Sequence, residues 1–260
     1  MPLSPLALSL LLASIARAEA PIAPRLADDL ALSWSNLGFS PAGLERAAMG
    51  PDVLAVGVDG RWALWDPVDG KVRSSEGEFA QGTLSSMAFD GDGALLLLDE
   101  RARTLSRYED GQATERWAAD RMCPAGVSLV IQGGRAWGRD TFGRLHPIAT
   151  IDPDREEPTS IAHVSRLSEG KLTVDGATVP VPADVLSGRV VGDWLVIEAG
   201  RPGALRARYA QSLTSGRKVS LPLLRDERYR PSHDVVAASD GSLAWMDARV
   251  DALHLHRVWP

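Results

Sequence analysis

Beyond residue 25 the apolar positions fall in short runs of four to seven residues, each broken by Gly, Asp or Pro, and few windows keep the i, i+3, i+4 spacing of an amphipathic helix. This pattern predicts many short strands joined by tight turns. The one stretch with modest helical character is 41–49, which also suits a strand entry.

Three segments repeat one plan. Residues 53–72, 87–105 and 235–253 each read as a strand, an Asp-Gly turn or its variant, a second strand ending in Asp, and a further strand. Asp66, Asp99 and Asp247 close the second strands, and six residues after each stands an apolar residue: Val72, Leu105 and Leu253. The chemistry suits turns. Asp-Gly offers the positive φ of a tight hairpin, and an Asp carboxylate bonds backbone N–H groups just beyond it. Segments 127–140 and 190–198 are weaker copies, and 161–181 is compatible but degenerate. The turn glycines Gly60, Gly93, Gly134, Gly170, Gly192 and Gly241 recur at a mean spacing of about 36 residues.

Short strands at that period have the length of a four-stranded blade, so the sequence predicts an all-β, six-bladed β-propeller. Five or seven blades also fit the degenerate middle repeats. The last repeat ends after three strands, and the segment 30–37 is expected to supply the fourth, closing the ring and removing an open edge. The segment 89–108, with Asp90, Gly93, Leu95 to Leu98, Asp99, Leu105 and Tyr108, resembles an NHL-type repeat of the six-bladed, TolB-like propellers. The first and last repeats are similar to it. Ala102 and Thr104 stand where that repeat usually carries Asn and Arg. The resemblance implies a propeller and, for most of its members, a binding scaffold, with a minority of enzymes. Lactonases of this fold hold a divalent ion in the central channel with Asn and Glu or Asp, whereas Asn36 is this chain's only asparagine.

The N-terminus sets the expected compartment. Leu6 to Ala16 is an uninterrupted apolar and small-residue run, long enough for a signal peptide and too short for a membrane-crossing helix. Of the two small-x-small sites behind it, cleavage after Ala18 is preferred, because cleavage after Ala20 would place Pro21 directly beyond the scissile bond. The expected division is a signal peptide over 1–18 and one propeller domain over 19–260. The expected location is periplasmic or secreted, with no membrane span after cleavage. Cys123 is the only cysteine, so no intramolecular disulfide forms and the core must hold the fold.

Hydrophobic residues make up 45% and charged residues 24%, an ordinary globular composition. The net charge of −6 is spread in mixed-sign clusters, with no positive field for a phosphate backbone, so nucleic acid is not an expected partner. Common catalytic motifs are absent: no GxSxG elbow, P-loop, HExxH, CxxC or dinucleotide fingerprint.

Several side chains carry possible chemistry. Trp62, Trp65, Trp137, Trp194 and Trp245 fall in or near second strands and are read as a packing layer between blades rather than as a sugar-stacking surface. His254 and His256 share a strand face but show no third ligand nearby, so they are read as a solvated face. Ser232-His233-Asp234 are adjacent and cannot form a relay; His146 and His163 stand without a motif. Asp90 to Gly93 begins like a calcium loop but lacks its later carboxylates, so a turn is preferred, and no cofactor is expected beyond calcium as the one ion that would suit it. Asp152 and Asp154, with Glu156 and Glu157, form an acidic loop that is read as a flexible solvated connection, with a loosely bound cation or a basic partner as the alternative. Arg201, Arg206 and Arg208 are read as part of a mixed-charge surface, and would suit an acidic partner or glycan if they share a face.

The expected function is a monomeric, non-enzymatic module that binds or scaffolds a protein or glycan. The alternative is a divalent-metal-dependent hydrolase of the lactonase-like class. If export proceeds as read here, N-terminal sequencing of the protein recovered from the cell envelope or medium starts at Glu19; a start at Met1 would sink the signal-peptide assignment.

Overall fold

The computed structural model describes residues 25–33, 37, 54–66, 70–80, 84–99, 101–119, 128–140, 142–155, 163–201, 204–223, 235–248 and 252–260. The signal segment 1–18, Trp34, Asn36, the stretch 41–49, Cys123, Glu156, Glu157 and Ser232 to Asp234 lie outside the described residues.

The strands form six small sheets arranged as a six-bladed β-propeller. The strand β1 (Asp29–Ser33) belongs to the closing blade. Blade 1 is β2 (Leu54–Val56), β3 (Trp62–Asp66), β4 (Lys71–Ser74) and β5 (Gly77–Ala80). Blade 2 is β6 (Ser86–Phe89), β7 (Leu95–Asp99), β8 (Thr104–Glu109) and β9 (Gln112–Ala118). Blade 3 is β10 (Ser128–Gln132), β11 (Arg135–Arg139) and β12 (Leu145–Thr150), and blade 4 is β13 (Ser165–Ser168), β14 (Lys171–Val174) and β15 (Ala177–Val179). Blade 5 is β16 (Val185–Val191), β17 (Trp194–Arg201), β18 (Ala204–Ser212) and β19 (Lys218–Ser220). Blade 6 is β20 (Val235–Ala237), β21 (Leu243–Ala248) and β22 (Ala252–Val258), with β1 as its fourth strand. All pairings within the blades are antiparallel. Blades 3 and 4 have three strands among the described residues.

The unbroken apolar runs of the second strands follow from this architecture. A middle strand of a blade is covered on both faces by neighbouring blades, so both of its side-chain sets must be apolar. In β7, Leu95 and Leu97 pack into the layer shared with blade 1, while Leu96 and Leu98 enter the layer shared with blade 3. In β3, Trp62 and Leu64 face blade 6 and Ala63 and Trp65 face blade 2. In β17, Trp194 and Val196 face blade 6 and Leu195 and Ile197 face blade 4. Trp62, Trp65, Trp194 and Trp245 are buried in these layers, as the packing reading requires, and Trp137 is half-buried beneath the Arg135 guanidinium.

The six turn glycines all adopt positive φ, between 56° and 86°. At Gly60 a side chain is doubly excluded: φ is 79°, and a Cβ would run into the Leu26 carbonyl, whose residue also donates its N–H to Gly60 O at 2.7 Å. The Asp residues act as turn clamps. Asp90 Oδ1 accepts from the N–H groups of Asp92 and Ala94, both at 2.9 Å, and Asp99 Oδ1 accepts from Ala102 N–H at 2.8 Å.

Closure comes from β1, which pairs with β22 in the register Asp29↔His256 to Ser33↔Ala252 and is extended by Arg257 N–H donating to Asp28 O at 2.8 Å. The Arg257 side chain, 2% exposed, secures the same corner. Its Nη2 reaches Asp240 Oδ2 at 2.6 Å and the Val58 carbonyl of blade 1 at 2.9 Å, while Nε donates to Ser242 Oγ at 2.9 Å. Burial alone would raise the Asp240 carboxyl, but hydrogen bonds from Ser242 and the charge of Arg257 outweigh it and hold the group below its ordinary value. Arg257→Ala removes the ion pair of Asp240 and leaves an interblade carbonyl without this donor, so it is expected to cost about 3 kcal/mol. For a chain of this size that corresponds to a fall in thermal midpoint of roughly 6–12 °C. A melt unchanged within error would show that the corner does not hold the ring.

Candidate functional site

The inner strands β2, β6, β10, β16 and β20 surround a central cavity of about 420 Å³. That is within the range of small-ligand or side-chain pockets. Apolar and polar surface share its wall about equally, with Leu54, Val56, Met87, Phe89, Leu129 and Val191 among the apolar lining residues. The inner strands are tied directly to one another: Leu129 N–H of β10 donates to Ser86 Oγ of β6 at 2.8 Å, and Ser165 Oγ of β13 donates to Gly188 O of β16 at 3.1 Å.

Charged groups enter the cavity wall where blades 3, 4 and 5 meet: Arg139, Asp140, His163, Arg189 and Asp193. Arg139, at the end of β11, reaches across to blade 5 and donates through Nη1 to Gly192 O at 3.2 Å. Burial lowers its pKa and the charge of Asp193 opposes that shift. Its Nε is buried without a hydrogen-bond partner. His163, two residues before β13, places Nδ1 2.6 Å from Asp175 Oδ2 and Nε2 4.0 Å from Asp193 Oδ1, so its ring lies between two carboxylates. Gly143 packs against the His163 carbonyl and Val190, fixing the three blades together.

The acids of this wall do not converge on one point. Asp140 Oδ1 accepts from Phe142 and Arg144 N–H, both at 2.9 Å, and its Oδ2 lies 3.1 Å from His146 Nε2. Burial would raise this carboxyl, but the bonds from His146 and from the turn outweigh it and lower the pKa. Among the described residues, the one group of three that could hold a metal ion is Asp29, His254 and His256, at the closing blade rather than in the cavity.

The residues singled out from sequence lie elsewhere. Arg201 ends β17 and is exposed. Arg206 on β18 is clamped by Asp184, Nε to Oδ2 at 3.0 Å and Nη2 to Oδ1 at 2.6 Å. Arg208, two residues on, is buried rather than on the surface: its Nε lies 3.2 Å from Glu198 Oε1, and Glu198 is held in turn by Ser187 Oγ at 2.8 Å. The three arginines therefore form no continuous basic face. Asp152 and Asp154 are exposed and share a local turn, Asp154 N–H donating to Asp152 Oδ1 at 3.1 Å. Asp90, the start of the calcium-like loop, serves as a hairpin clamp and also faces Arg107 Nε at 3.4 Å.

The cavity charges were not singled out from sequence, although one signal pointed to them. The residue before the Asp that closes the second strand is Trp65, Leu98 or Met246 in the clear repeats, and Arg139 in the third. A charge at a repeated apolar position marks a place where the blade faces something other than its neighbour's core.

Scanned against protein-family models and curated proteins, the chain matches none. Among solved structures it is similar to a virginiamycin B lyase from Staphylococcus aureus, at 13% identity and a TM-score of 0.30, covering 84% of this chain and 66% of that one. A chain of a mitotic checkpoint complex gives 10% identity and a TM-score of 0.41, covering 94% and 98%. PorZ, a surface component of the type-IX secretion system of Porphyromonas gingivalis, gives 13% and 0.39, covering 79% and 33%. The chain spans less than two thirds of the lyase's length.

The His163 pair yields a direct test. The hydrogen bond from His163, aided by Val164 N–H, lowers the Asp175 pKa. A depressed carboxyl stabilises the fold above its unfolded value, near 3.8, and that contribution is lost as pH falls through the lower folded value. In His163→Ala the Asp175 midpoint, followed by carboxyl-carbon NMR, is expected to rise toward 3.8 without reaching it, because the Val164 bond remains. An unmoved midpoint would mean that the pair does not exist in solution.

Proposed function

We propose that this protein is an exported, non-enzymatic binding module of the NHL-type, TolB-like kind, and that it takes a segment of a partner protein into its central cavity. The observation that carries the reading is the cavity itself: a wall of mixed apolar and polar surface built from five inner strands, with Arg139 and Arg189 set into it. Such a lining suits an apolar side chain next to a carboxylate, to which the guanidinium charges are complementary. A protein segment is favoured over a glycan because four of the five repeat tryptophans lie in interblade layers, away from any stacking surface. The metal-dependent hydrolase reading draws no support from the cavity acids: Asp140 is engaged with its own turn and His146, and Asp193 lies beside His163.

The test compares affinity enrichment from envelope extract by the unaltered protein, by Arg139→Gln and by a cavity-filling Ala88→Phe variant, with thermal melts to confirm that each folds. The reading requires a partner retained by the first and lost by both variants. A partner held equally by all three would place binding on the outer loops, and turnover of an ester or lactone abolished by EDTA would replace the binding role with the enzymatic one.

A further inference from the structure

The ring closure brings together three groups that lie far apart in sequence. The register sets Asp29 of β1 opposite His256 of β22, and His254 lies two residues away on the same face of β22. Asp29 Oδ1 is 3.3 Å from His256 Nδ1 and 3.8 Å from His254 Nδ1, and one ligand atom from each residue falls within 4.8 Å of the other two. Ligands on a tetrahedral ion with bonds of about 2.0–2.1 Å stand roughly 3.3–3.4 Å apart. The three groups are thus close to the spacing of a two-histidine, one-carboxylate site before any ion draws them in.

Two further features support a site. The His254 Nδ1 atom is buried and has no hydrogen-bond partner, an arrangement that leaves a ligating lone pair or an N–H without its usual water. The rings are also held in place. His256 stacks on Trp245 with centroids 5.2 Å apart and planes at 21°, and His254 lies parallel to it at 17°. Asp247, on β21 opposite His254, places Oδ2 4.0 Å from His256 Nε2, the position of an outer carboxylate that orients a metal-bound imidazole. The histidine side chains are 15% and 21% exposed and Asp29 is 58% exposed, so a fourth position opens to water on the carboxylate side.

We propose that Asp29, His254 and His256 form a binding site for a borderline divalent cation of the Zn²⁺ class, which staples β1 to β22, the first and last of the described strands. Imidazole nitrogen suits Zn²⁺ and its neighbours, whereas Ca²⁺ requires six to eight oxygen ligands that this face does not supply. The ion links both ends of the ring, so its binding stabilises closure of the whole propeller.

The test is calorimetric titration of the untagged protein with ZnCl2 and, separately, with CaCl2, followed by thermal melts in each ion. The expected result is one Zn²⁺ per chain, a raised midpoint with Zn²⁺ and none with Ca²⁺, and affinity weakened roughly tenfold or more in His254→Gln, His256→Gln and Asp29→Asn. Cobalt absorption of the unaltered protein gives a readout independent of whether the variants fold: a four-coordinate site intensifies the visible bands. No saturable zinc binding, an unaltered aqueous cobalt spectrum, or full affinity in the folded double variant His254→Gln/His256→Gln would overturn the assignment.

Discussion

Everything in this fold depends on one antiparallel pairing, that of the first described strand with the last. A blade cannot bury its two faces alone, because each face is completed by a different neighbour. Left open, the ring would expose one face of blade 1 and one of blade 6 together. The pairing of β1 with β22, and the reach of Arg257 from Asp240 to the Val58 carbonyl, cover those faces in one layer that holds Leu32, Leu54, Leu64, Leu253 and Leu255. The other layers are then fixed by geometry, since each blade can turn only as far as its neighbours allow.

The cavity is a by-product of the same constraint. Six short inner strands cannot meet on the axis, so a space remains, and the apolar part of its wall comes from side chains with which the short inner strands pack sideways. Where blades 3, 4 and 5 meet, polar contacts take a larger part: Phe142 O accepts from Ser165 N–H, Arg139 bonds Gly192 O, and His163 lies between Asp175 and Asp193. This is why the charged residues of the wall lie on one side of it.

The blades were legible in sequence because they are local. A glycine that must take positive φ, an Asp that must clamp the turn beside it and a strand that must be apolar on both faces each leave a mark within a few residues. Gly60, Gly93, Asp90, Asp99 and Leu95 to Leu98 all carry such marks. Closure by β1 was legible for a related reason, since the repeat over 235–258 holds three strands of its own. Juxtapositions between blades were not. Arg208 reads as surface charge along the chain, yet it lies under the sheet against Glu198, because which face of β18 turns inward is set by blade packing. His254 and His256 were visible as a pair, but Asp29 meets them only through the ring. His163 carries no motif because its partners, Asp175 and Asp193, come from two different blades.

The pairing of β1 with β22 also has a meaning in time. A ribosome delivers Leu30 and Leu32 long before the strand that covers them, Ala252–Val258. Until then the chain holds blades that can form one by one but no closed ring, and its earliest strand waits with an uncovered edge and apolar face. Any product truncated before residue 252 stays in that state permanently. The fold therefore checks its own closure: only a chain translated through β22 hides the surfaces by which chaperones and proteases recognise an open ring.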